Sequence, residues 1–135
     1  MRVTLDTNVL VSATFWYGDS NEIIKKVENK EFELVLSKAI IDEFVEVLNS
    51  EEIQEKITNK NLEMKRTVQK IVSLSSIIEP RINLDVIKHD PNDNKVLECA
   101  KEGKVDFIIS SDNHLLKLKN FEGIKIITPR DFINS

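Results

Sequence analysis

Glycine and proline are scarce, three of each in 135 residues. That excludes long flexible linkers. A single cysteine, Cys99, excludes an internal disulfide and points to a reducing, cytoplasmic setting. No apolar run approaches the roughly 20 residues of a membrane span, so no membrane partner is expected. Met1 is followed almost at once by a strand pattern, not by a secretory leader. Basic charge is not in excess: the net charge is −4 and the sequence pI about 5.3. Proteins that grip duplex by charge alone are usually basic. A phosphate-bearing partner would therefore need a local basic face or a bound cation. What is present, 41% hydrophobic and 31% charged residues, is ordinary globular composition. The length suits one domain, residues 1–135, with a modest core.

The most informative stretch runs from Val105 to Leu116. Phe107-Ile108-Ile109 is a short β-branched and aromatic run, the mark of a strand covered on both faces. Ser110-Ser111-Asp112 breaks it, and Leu115-Leu116 opens a new apolar stretch. Asp112 thus stands at the carboxyl end of a strand, where a helix starts. Ligands of open α/β sheets bind at that edge. The amino terminus repeats the pattern: Val3-Thr4-Leu5, then Asp6-Thr7-Asn8, then Val9-Leu10.

Taken in order, the chain predicts a strand at Arg2–Leu5, with Thr7 or Asn8 placed to cap a short helix, Val9–Phe15, broken near Tyr17-Gly18. Ser20 is placed to cap a helix to about Lys30, with Ile23, Ile24 and Val27 on one side. A second strand covers Phe32–Leu36. Ser37 caps a helix from Lys38 to about Asn49, whose apolar stripe is Ile40, Phe44, Val47 and Leu48. Glu43 falls on that stripe's side, whereas Asp42 and Glu46 face solvent. Glu51–Ile57 is a short charged helix. Asn61–Leu74 is a longer one, with Leu62, Val68, Ile71 and Val72 inward and Lys65, Arg66 and Lys70 outward. A third strand, Ser76–Ile78, is stopped by Pro80, and Asn83–His89 carries no clear pattern. Asp90-Pro91-Asn92-Asp93 turns into a helix over about Asn92–Glu102, stopped by Gly103 as a C′ glycine. Its inward side is Val96, Leu97 and Ala100, and Asp93 shares that side. A fourth strand, Asp106–Ser110, a short helix, His114–Leu118, a fifth strand, Lys125–Thr128, and a final turn from Pro129 complete the chain. Alternating strands and helices indicate a three-layer α/β/α fold with a mostly parallel, five-stranded sheet.

Asp6, Glu43, Asp93 and Asp112 therefore stand apart from the other acidic residues. Strand carboxyl ends and helix amino ends share one edge of a parallel sheet, so the four can converge there. Crowded carboxylates are costly unless neutralised. Oxygen-only ligands select Mg²⁺ or Mn²⁺, which can activate water and stabilise a phosphoryl transition state. The plainer alternative is a helix cap for each Asp and a stripe-edge residue for Glu43.

The same residues resemble the motifs of the PIN domain family, and more narrowly the VapC-type toxins of toxin–antitoxin systems. Asp6-Thr7-Asn8-Val9-Leu10-Val11-Ser12-Ala13 is similar to the family's opening motif, and Ser37 to Leu48 to its second, with Glu43 at the acidic place. Asp90-Pro91-Asn92-Asp93-Asn94, followed by Val96 to Ala100, resembles the third. Asp106 to Leu116 resembles the fourth, and Thr128-Pro129 the closing motif. The order is right and nearly the whole chain is covered. The resemblance implies sheet order 3-2-1-4-5, with Asp6 and Asp112 as neighbours. It implies a Mg²⁺- or Mn²⁺-dependent endoribonuclease acting on single-stranded RNA, a cognate antitoxin protein and a homodimer. The helix Asn61–Leu74 or the segment around Trp16 would supply the dimer interface. Asp6, Glu43, Asp93 and Asp112 become catalytic metal ligands, with Asn8, Asp90 and Ser110 as supporting groups. One departure stands out: many PIN domains carry a further acidic residue two after the Asp112 place, where this chain has His114.

Other residues have bland readings. His89 and His114 lack paired zinc spacing and read as surface or supporting groups. Cys99 reads as a packed thiol. Trp16 and Tyr17 read as packing residues, with base stacking as the alternative. Lys65, Arg66 and Lys70 read as a solvated face, with RNA-backbone contact as the alternative. Two other functions compete with the toxin: a housekeeping RNA-processing nuclease, and a non-catalytic PIN-like binding module. The four filled acidic positions argue against the last.

Overall fold

The computed structural model describes residues 1–15, 18–56, 61–84 and 91–134. Its strands are β1 (Arg2–Leu5), β2 (Glu33–Ser37), β3 (Ser75–Ile78), β4 (Phe107–Ile109), β5 (Asn120–Phe121) and β6 (Ile124–Ile127). They form one six-stranded sheet in the order β3-β2-β1-β4-β6-β5. Every pairing is parallel except β5 with β6. The helices are α1 (Thr7–Phe15), α2 (Asp19–Glu28), α3 (Lys38–Leu48), α4 (Glu51–Lys56), α5 (Asn61–Leu74), α6 (Pro91–Glu102), α7 (Asn113–Leu118) and α8 (Pro129–Ile133).

Both faces of the central strands are covered, as their unbroken apolar runs require. Val3, Leu34 and Phe107 are in register and share one face. There Phe132 of α8 meets Phe107 and Phe32 edge-on, with ring centroids 5.5 and 5.1 Å apart. Thr4 points to the other face, where its hydroxyl lies 3.6 Å from the Cys99 thiol of α6. Cys99 also donates weakly to the Val35 carbonyl at 3.8 Å. Burial above all pushes its pKa up to about 11, so it is the inert packed thiol expected. In helix α1, Val9, Leu10, Val11 and Ala13 are buried, whereas Asn8 is exposed. Ser37 caps α3 by accepting from the Ile40 amide at 3.2 Å. Arg66 and Lys70 are exposed as expected.

Four local expectations need correction. The sheet has a sixth strand because Asn120–Phe121 folds back on β6 through Glu122 and Gly123, both at positive φ. That is the backbone of a tight two-residue hairpin, and two residues are too few to show a periodicity. Helix α2 begins at Asp19 after Gly18, whose φ of 134° suits glycine, and no side chain caps it. Ser20 lies inside the helix. Neither Thr7 nor Asn8 caps α1; Asp6 does, accepting from the Val9 amide at 2.8 Å. Gly103 ends α6 for a different reason than supposed. The left-handed residue is Lys104, at φ 52°. The Lys104 amide donates to Lys101 and the Val105 amide to Ala100, a Schellman closure with Lys104 at C′. Gly103 is needed for close approach: a Cβ there would lie 2.7 Å from Val35 Cγ1 and 2.8 Å from the Cys99 carbonyl oxygen. Trp16, Tyr17, Ile57, His89 and Asp90, with most of the unassigned segment 83–89, lie outside the described residues. So do the side chains of Leu62 and Lys65.

Candidate metal centre

Strands β1 and β4 pair Leu5 with Ile109, so Asp6 and Ser110 leave the sheet side by side. The Asp6 amide donates to the Ile109 carbonyl at 3.2 Å, extending the ladder by one bond. Its side chain is buried. Oδ1 accepts from the Val9 amide, and Oδ2 accepts from the Ser110 hydroxyl and, at 3.3 Å, from the Ser111 amide. A carboxylate has about four lone-pair directions, so three donors leave room for a further ligand. Burial raises the Asp6 pKa above its ordinary value. The bonds from Ser110, Val9 and Ser111 oppose that rise, and the nearby charge of Asp112 adds to it.

Asp112 follows β4 as the N-cap of α7, accepting from the amides of His114 at 2.7 Å and Leu115 at 3.4 Å. Its own amide donates to the Ser110 hydroxyl at 2.9 Å. One serine thus ties the Asp6 carboxylate to the backbone of Asp112. Glu43 comes in from α3, half-buried, and accepts from the Thr7 hydroxyl at 3.0 Å. Asp93 enters from the first turn of α6 and is buried. Asp6, Thr7, Asn8, Glu43, Asp93, Val96 and Asp112 line one cavity of about 50 Å³. That is room for a small cation with water around it. At its rim, His114 Nδ1 lies 3.8 Å from Asp93 Oδ2 and 3.8 Å from Asp112 Oδ1.

The family model of the PIN domain matches residues 2–114. The chain belongs to the PIN domain family. A solved structure of the same fold is VapBC2 from Rickettsia felis bound to a DNA fragment from their promoter. The TM-score is 0.60 at 15% sequence identity, covering 93% of this chain and 97% of that chain. No curated protein sequence matches it.

In this PIN domain the quartet singled out in the sequence comes together around one cavity. Among the supporting groups, Ser110 binds Asp6 and exposed Asn8 lies on the cavity lip. Sequence reasoning missed Thr7 as the residue that holds Glu43; it noted His114 as a departure from the family and read it as a surface or supporting group. Thr7 lies next to Asp6, but nothing local announces a bond to a residue 36 positions on. For His114 a signal existed: it stands two after Asp112, where many PIN domains are acidic. The all-oxygen donor set and the cavity's size fit a hard divalent cation. Among the described residues, Asp93, Asp112 and His114 each offer a ligand atom within 4.8 Å of the others. No helix among the described residues is long and apolar enough to cross a membrane.

Proposed function

We propose that this PIN domain is a Mg²⁺- or Mn²⁺-dependent endoribonuclease that hydrolyses phosphodiester bonds of single-stranded RNA, and the toxin of a type II toxin–antitoxin pair. The observation that carries the reading is the convergence of Asp6, Glu43, Asp93 and Asp112 on one cavity at the carboxyl edge of the sheet. A cation held by these four would stabilise charge on the phosphoryl oxygens and lower the pKa of a bound water. The chain's own residues do the positioning. Ser110 and the Ser111 amide hold Asp6, Thr7 holds Glu43, and the two α7 amides hold Asp112. Asn8 on the lip can donate to a phosphate or sugar oxygen. With a net charge of −4, the protein needs the cation to bring a polyanion against this edge.

The toxin assignment draws support from the family and from the likeness to VapBC2, which was solved on promoter DNA. On this reading the protein works in the cytoplasm as a homodimer and is held in check by a small antitoxin. The test is cleavage of a single-stranded RNA by wild type and Asp6→Asn, in Mn²⁺, in Mg²⁺ and in EDTA. Wild type should cut only with metal, and Asp6→Asn not at all. A wild type without metal-dependent cleavage, or an Asp6→Asn that cuts comparably, overturns the proposal.

A further inference from the structure

His114 stands where the acidic cavity meets solvent, on the first turn of α7. Its imidazole is 46% exposed, against 9% for the Asp93 side chain and 24% for Asp112. It can therefore turn without disturbing the core. Its Nδ1 is equidistant from the two carboxylates, 3.8 Å from an oxygen of each. Around a cation with ligand distances of ~2.0–2.2 Å, adjacent ligand atoms stand ~3 Å apart. From 3.8 Å, His114 needs to close by less than about 1 Å on each carboxylate to share one ion with it, and the two carboxylates lie within 4.8 Å of each other.

The donor set of that trio is two oxygens and a nitrogen. Mg²⁺ takes oxygen ligands and keeps its water, whereas imidazole suits the first-row transition cations. We propose that His114 is a nitrogen ligand that turns this centre toward a first-row transition cation, such as Mn²⁺ or Co²⁺, and away from Mg²⁺. The inference rests on the acidic cavity being a metal site. The carboxylate quartet alone does not separate Mg²⁺ from Mn²⁺, and the imidazole does. The competing role is a metal-free bridge between Asp93 and Asp112, in which His114 matters to folding but not to cation choice.

The experiment is calorimetric titration of the full chain with Mg²⁺, Mn²⁺ and Co²⁺, for wild type, His114→Ala and His114→Asp. His114→Ala should lose about tenfold or more in Co²⁺ and Mn²⁺ affinity and less than about threefold in Mg²⁺ affinity, the scale on which ligand-shell changes act. His114→Asp should bind Mg²⁺ more tightly than His114→Ala does. In the wild type, added Zn²⁺ should shift the ¹⁵N NMR resonance of the His114 ring, a readout that needs no variant and no activity. Unchanged selectivity in His114→Ala, or a ring resonance that Zn²⁺ leaves in place, overturns the inference alone. A wild type that binds none of the cations overturns the metal centre and the inference together.

Discussion

Replacing Asp112 with Asn removes one charge from the cavity and keeps the α7 cap. Asn caps as well as Asp, and its amide oxygen can accept the same bonds from the His114 and Leu115 amides. Electrostatics is what changes. A carboxylate oxygen of Asp112 lies within 4.8 Å of one of Asp93. Unit charges that far apart repel by ~0.9 kcal/mol in water and ~3.5 kcal/mol at an effective dielectric of 20. The Asp112 side chain keeps 24% of its exposure, so screening places the relief near the lower figure, ~1 kcal/mol. Its charge also disfavours ionised Asp6, which adds in the same direction. For a chain of this size, ~1 kcal/mol is ~3–5 °C in Tm. Metal-free Asp112→Asn should therefore melt above wild type. A cation at 100 times its Kd should stabilise wild type by about 2.7 kcal/mol, and the variant by less. The assay is thermal unfolding of both proteins in EDTA and in excess Mn²⁺, at one pH near 7.5. If the variant melts lower in EDTA and gains as much from Mn²⁺, Asp112 is a structural cap and the electrostatic argument fails.

Two further predictions concern Asp6 and Gly103. The raised pKa of Asp6 means that the folded protein holds this proton more tightly than the unfolded chain. The contribution of neutral Asp6 is thus complete below the unfolded value, about 3.9, and is lost as pH rises through the folded value. In EDTA, urea unfolding across pH 4 to 8 should show a smaller decline for Asp6→Asn than for wild type; equal slopes would refute the shift. Gly103→Ala places a methyl against Val35 and against a carbonyl of its own helix, and should cost about 1–3 kcal/mol. A loss under about 0.5 kcal/mol in chemical denaturation, the range of an innocuous surface change, would show that β2 and α6 give way.

Much of the scaffold was legible because its signals are local. The β-branched run at Phe107–Ile109 and the stripe of Ile40, Phe44 and Leu48 announce their elements by period alone. Glu43 and Asp93 betrayed themselves by falling on inward helix sides, where a carboxylate needs a reason to be. The errors came where geometry outweighs residue type. Gly103 looked like a left-handed cap but serves close packing, while Lys104 takes the left-handed conformation. The helix-cap reading of Asp6 and Asp112 was correct as chemistry, and it does not keep either residue from the acidic cavity. Both residues cap a helix and still line the cavity.

By itself the sequence determined the alternation of strand and helix, the ends of the central strands, and which carboxylates follow those ends or fall on inward helix sides. Those depend on periodicity and on caps within a few residues, which physics settles locally. The tertiary structure alone decided which donors those carboxylates meet. The parallel register of β1 and β4 sets Ser110 against Asp6 across 104 positions of sequence. The packing of α3 and α6 beside that edge brings Glu43 to Thr7 and Asp93 to His114. Hydrogen bonds and charge act over a few ångströms of space, so separation along the chain says nothing about them until the sheet is assembled.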